Sequence, residues 1–110
     1  MPWEIQYYSE TVRQDIAAWP VGIRAMYARI TERMQVLGPH LGMPLTRPLG
    51  EELFEVRAKG KEGIGRALFC IAAGQTMMIL HAFIKKTQKT PPRDLELARR
   101  RLREVRRDTP

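Results

Sequence analysis

Between residues 53 and 85 the chain carries three strand-like runs joined by two short glycine-bearing turns, a pattern that leaves few folds open. The runs are Leu53 to Ala58, Gly65 to Ala72 and Thr76 to Lys85, separated by Lys59-Gly-Lys-Glu-Gly63 and Ala73-Gly-Gln75. Turns this short bring consecutive strands back beside each other, so the segment predicts an antiparallel meander.

The flanks read as helices and one further strand. Trp3, Ile5 and Tyr7 alternate with Glu4 and Gln6, the period of a half-buried strand. Ser9 can cap a short helix that places Val12, Ile16 and Trp19 on one face. A second helix over 20–37 carries the stripe Ile23, Met26, Tyr27, Ile30, Met34 and Leu37, and Gly38-Pro39 stops it. From His40 to Glu52, Gly42, Pro44, Pro48 and Gly50 predict a connecting loop. Thr90 as cap and Pro91 as first residue open a last helix with Leu95, Ala98, Leu102 and Val105 on one side. The expected fold is α+β, in the order β-α-α-β-β-β-α. A small antiparallel sheet carries two N-terminal helices and a C-terminal one, in a single domain over 1–110.

With 110 residues, 44% of them hydrophobic, the chain can bury one modest core. Its formal charge of +7 favours a nucleic acid, an acidic protein or an anionic membrane surface as partner. The longest apolar run, Met77 to Ile84, is far shorter than the roughly 20 residues of a spanning helix. The N-terminus lacks a basic start followed by an apolar stretch, so a cytoplasmic location is expected by default. The lone Cys70 with His40 and His81 makes a poor zinc set, and no metal or other cofactor is expected.

Strand alternation sorts the basic residues by face. Phe54, Val56 and Ala58 share the core face of their strand, opposite Glu55 and Arg57. In the next run Ala67, Phe69 and Ile71 lie opposite Arg66, Leu68 and Cys70, so Arg66 is expected to project from the less covered side. Met78, Leu80, Ala82 and Ile84 are the expected core set of the last strand, leaving His81, Phe83 and Lys85 to point with Arg57 and Arg66. The result is an expected groove lined by those five residues, with Lys86 and Lys89 at its rim. Guanidinium groups can contact phosphate oxygens and a phenyl ring can stack on an unpaired base, so RNA suits this set. Other readings stay open: Arg57 and Arg66 in a solvated pair with Glu55, His81 and Phe83 as packing residues, the lysines as a solvated run. The arginines from Arg99 to Arg107 are expected mostly on a solvated helix face.

Three segments, Leu53-Phe-Glu-Val-Arg57, Gly65-Arg66 and Leu80-His-Ala-Phe-Ile-Lys-Lys-Thr-Gln-Lys-Thr-Pro91, followed by a helix containing Ala98, resemble the RelE/ParE superfamily of bacterial toxins. Within it the resemblance is to the HigB-like, phage-derived branch of type II toxin-antitoxin systems. It implies a RelE-like fold and a metal-independent endoribonuclease, an mRNA interferase that inhibits translation, commonly at the ribosome. It also implies a cognate antitoxin with a helix-turn-helix domain.

Carried onto this sequence, the resemblance makes Arg57 and Arg66 phosphate stabilisers. Lys85, Lys86 and Lys89 match its lysine signature as RNA-binding residues, Lys85 and Lys86 also as catalytic ones; by their own chemistry His81 is an acid–base candidate and Phe83, Lys59 and Lys61 are RNA contacts. Several superfamily members use a tyrosine or histidine near the C-terminus, and this chain has neither after His81. A ParE-like gyrase inhibitor and a non-catalytic RNA- or partner-binding module are the alternative readings.

Overall fold

A computed structural model of the chain describes residues 2–85 and 89–108. Its elements are β1 (Glu4–Tyr7), α1 (Glu10–Ala17), α2 (Val21–Leu37), β2 (Thr46–Gly50), β3 (Leu53–Gly60), β4 (Gly63–Ala72), β5 (Thr76–Lys85) and α3 (Pro92–Asp108). The fold is α+β, as the residue patterns predict. Two features of the sheet differ.

The first is an additional strand. The segment expected to be a loop contains β2, so the order is β-α-α-β-β-β-β-α. Pro48 misleads because proline is excluded only where a strand must donate on both sides. β2 lies at the sheet edge and pairs with β3 alone, where a missing N–H is tolerated.

The second is polarity. The strand order is β1-β5-β4-β3-β2, and β1 runs parallel to β5 while the other pairs are antiparallel. The sheet is mixed rather than purely antiparallel.

α1 and α2 cover one face of the sheet. Ser9 caps α1 by accepting from the Val12 amide at 3.3 Å, and Val12 and Ile16 are buried. In α2 the stripe Ile23, Tyr27, Ile30 and Met34 is buried, but Leu37 is 67% exposed, on an outer patch with Arg29, Glu32, Arg33 and Val36. These side chains pack on Val56, Ala58, Ala67, Phe69, Met77, Ile79 and Ala82. Gly65 permits the approach, since a Cβ there would lie 2.6 Å from Ile23 Cγ2.

α3 covers the opposite face, where Ala98 and Leu102 pack with Leu53, Leu68, Cys70 and Leu80. A register shift between Leu68 and Phe69 divides β5, with Leu68 facing His81 and Phe69 facing Ile79. This bulge overturns the strict alternation expected for β5. Met77 and Ile79 join Ala82 in the helix-side core, while Met78 and Leu80 turn to α3.

The start of α3 also differs. It begins at Pro92, and the Thr90 hydroxyl donates to Glu55 Oε2 at 3.1 Å. Thr90 is tied to the sheet where a helix cap was expected. Nor is the basic side of α3 wholly solvated. Arg99 donates to Leu49 O and Gly50 O, Arg101 to Leu80 O and Arg106 to Ile71 O. Among the described residues no helix is long and apolar enough to cross a membrane.

Candidate functional site

The antiparallel register places the expected site residues in rows across the α3 face. Glu55, Leu68 and His81 form one row, Arg57, Arg66 and Phe83 the next, and Lys59, Ile64 and Lys85 the third. Residues two apart on a strand share a face, so Glu55, Arg57 and Lys59 point together, as do His81, Phe83 and Lys85. The bulge leaves this agreement intact because it lies on the far side of His81.

The centre is a carboxylate surrounded by guanidinium groups. Glu55 Oε1 lies 2.8 Å from Arg47 Nε and 3.5 Å from Arg57 Nε, and Glu55 Oε2 lies 3.6 Å from Arg66 Nη1. Glu55 and Arg66 are fully buried and Arg57 is 9% exposed. The expectation that Arg66 projects from a less covered side is therefore corrected, since it is fully buried, and the solvated pair with Glu55 is instead a buried cluster. Three cations meet one anion here, which leaves a local excess of positive charge.

Burial pulls the Arg66 guanidinium below its ordinary pKa, and Arg57 and Arg47 push the same way while Glu55 opposes them. Arg57 also donates to Pro44 O at 3.5 Å, and its amide donates to Leu45 O at 2.8 Å.

The rows open towards solvent in one direction. Lys59 is exposed, while Ile64 and Lys85 are half-buried. A cleft of about 390 Å³ lined by Met26, Pro44, Leu45, Arg57, Lys59 and Ile64 reaches the cluster from that side. Lys61 is exposed in the β3–β4 turn, and Lys89 is exposed just before α3. Lys86 lies outside the described residues.

His81 and Phe83 sit side by side with ring centroids 5.3 Å apart and 28° between their planes. His81 Nε2 is 2.7 Å from Asp94 Oδ1 in the first turn of α3. Phe83 also packs against the α3-side apolar cluster, so its ring has neighbours within the protein.

A larger cleft of about 800 Å³ runs between α3 and the Glu51-Glu52 turn. Its carboxylates are engaged: Glu51 by Arg99, Glu52 by Arg106 and Glu104 by the Tyr8 hydroxyl. It contains no histidine, and its groups latch α3 to the β2–β3 hairpin.

Sequence reasoning missed Arg47, Thr90 and Asp94. Arg47 reaches the cluster only because β2 is a strand in register with Glu55. Thr90 and Asp94 arrive through the docking of α3. Glu55 was recognisable as facing with Arg57, but its place at the centre depends on three strands coming together.

Residues 14–103 match the family model described as phage derived protein Gp49-like (DUF891). A comparison with curated proteins gives no match.

Proposed function

The chain belongs to the Gp49-like family of phage-derived proteins, and from that premise we propose that it is the toxin of a type II toxin-antitoxin system, an endoribonuclease that cuts mRNA. The observation carrying the reading is the cationic excess of Arg47, Arg57 and Arg66 around the single carboxylate of Glu55. It lies at the inner end of a cleft edged by Lys59, on the sheet face shared with Lys85.

A scissile phosphate gains negative charge as the ribose 2′-oxygen attacks it and the 5′-oxygen leaves. Fixed guanidinium groups at that point stabilise the transition state more than the ground state. In this reading Arg57 faces the phosphate from the cleft. Arg66, fully buried, raises the potential behind it and holds Glu55 in place. Lys59, Lys61, Lys85 and Lys89 attract the flanking backbone. The ribosome is the proposed setting and a helix-turn-helix antitoxin the proposed partner, with the +7 charge favouring an acidic surface on that partner.

Expression of the chain should arrest growth and cleave mRNA. Arg57→Ala should lower the cleavage rate by about 100- to 1000-fold, the effect of removing one preorganised donor. Its circular dichroism should stay that of the folded protein. Lys59→Ala combined with Lys85→Ala should weaken binding to single-stranded RNA and reduce the salt slope of log K by about 1.4 for two lost phosphate contacts. Intact mRNA in the presence of ribosomes and folded wild-type protein would reject the nuclease reading.

One observation favours binding without cleavage, namely that Arg66 and Glu55 are sealed from solvent and form an ion pair with each other. Salt-dependent RNA binding with no strand scission is the outcome that selects it.

A further inference from the structure

Stabilising a phosphate is half of a cleavage site, because the 2′-hydroxyl must also lose its proton. His81 lies on the same sheet face as the arginines, paired across β4 with Leu68, which in turn pairs with Glu55. Its ring is held on two sides: it stacks on Phe83, and Nε2 lies 2.7 Å from Asp94 Oδ1. The two side chains are 15% and 19% exposed, so the pair is shielded without being sealed.

A carboxylate oxygen can only accept a hydrogen bond, so the proton in this contact belongs to Nε2. A neutral imidazole protonated on Nε2 carries its lone pair on Nδ1. That nitrogen makes no hydrogen bond among the described residues.

We infer that Asp94 is a positioning residue that fixes His81 as the Nε2–H tautomer, leaving Nδ1 as the proton acceptor of the site. The catalytic half of this inference rests on the nuclease reading above. Nδ1 takes the proton of the 2′-hydroxyl, the 2′-oxygen forms its bond to phosphorus, and the bond from phosphorus to the 5′-oxygen breaks. The leaving oxygen takes a proton from water, and the products are a 2′,3′-cyclic phosphate and a 5′-hydroxyl. Asp94 comes from α3 and His81 from β5, so docking of the last helix completes the acceptor.

The test combines imidazole nitrogen spectroscopy with cleavage kinetics. In protein labelled with ¹⁵N-histidine, above the imidazole titration, long-range proton–nitrogen spectra should show His81 protonated on Nε2, with His40 as the internal reference. Asp94→Asn keeps the shape but lets a carboxamide N–H donate to Nε2, so the proton should move to Nδ1. For that variant kcat should fall by about 100-fold or more, within the usual contribution of general base catalysis, with KM for RNA little changed. Asp94→Glu, which retains an acceptor, should recover part of both signals.

A wild-type His81 protonated on Nδ1 overturns the inference, as does an Asp94→Asn variant that cleaves at the wild-type rate. A wild type that carries the Nε2–H tautomer but never cleaves RNA removes the nuclease reading and leaves the positioning pair standing.

Discussion

The two faces of the sheet are built from alternate residues of the same strands, yet they solve opposite problems. The face under α1 and α2 is apolar: Val56, Ala67, Phe69, Met77 and Ile79 pack against Ile16, Ile23, Ile30 and Met34. Within it the Tyr7 and Tyr27 hydroxyls, 3.0 Å apart, share a hydrogen bond that joins β1 to α2. The face under α3 is apolar only over Leu53, Leu68, Cys70 and Leu80, and then turns to Glu55, Arg57 and Arg66. The first face gains stability by excluding water from hydrocarbon, at about 25 cal/mol per Å². The second buries charges whose desolvation offsets much of their mutual attraction. The fold thus keeps a mostly apolar core on one face of the sheet and a buried charge cluster on the other.

Substitutions on the two faces should separate these roles. Glu55→Ala should have the largest effect, about 3–5 kcal/mol in urea unfolding, because it leaves Arg66 buried without its carboxylate. Phe69→Ala on the other face should cost about as much through an unfilled cavity. The two losses differ in how they are repaired. Adding Arg66→Met should recover much of the Glu55→Ala deficit and none of the Phe69→Ala deficit. Equal recovery in both backgrounds would dissolve the distinction between the faces.

Gly65→Ala is the next in size, expected at about 1–3 kcal/mol from overpacking against Ile23 and Trp19. An unchanged unfolding midpoint would mean that α2 moves freely over the sheet.

The smallest effect is a pH dependence from the face under α1 and α2. Burial, and then the neighbouring Tyr7 hydroxyl, raise the Tyr27 phenol far above its ordinary pKa. The unfolded chain ionises there near pH 10 while the folded one does not, so this contribution is intact below about pH 10 and declines above it. The slope attributable to Tyr27 should approach about 1.4 kcal/mol per pH unit. It should be absent from Tyr27→Phe, and so appear in full in the difference between wild type and variant, if the phenol is the group responsible.

Local patterns carried much of this architecture. The meander, the stop at Gly38-Pro39 and the Ser9 cap follow from turn length, missing donors and side-chain chemistry within a few residues. They form as expected. The shared direction of Arg57, Arg66, His81, Phe83 and Lys85 was legible for the same reason, since strand alternation survives on the relevant side of the bulge.

What failed was whatever depended on a distant partner. β2 was hidden because Pro48 and Gly50 are poor strand formers until an edge pairing with β3 makes their missing groups tolerable. The β5 bulge was hidden because no residue type demands it. Arg66 was expected on the less covered side because alternation gives its face but not its depth, and Glu55, brought close by β3, supplies a counter-charge for its burial.

The amino-acid sequence alone determined the class of the fold, the helix-facing stripe and the face that carries the cations, because each rests on periodicity or on chemistry between near neighbours. Tertiary structure alone decided that Arg47, Arg57 and Arg66 converge on one carboxylate and that Asp94 meets His81. Those contacts join residues from β2, β3, β4, β5 and α3. Their energies exist only after packing has removed water from between the groups and brought them within hydrogen-bond and ion-pair range.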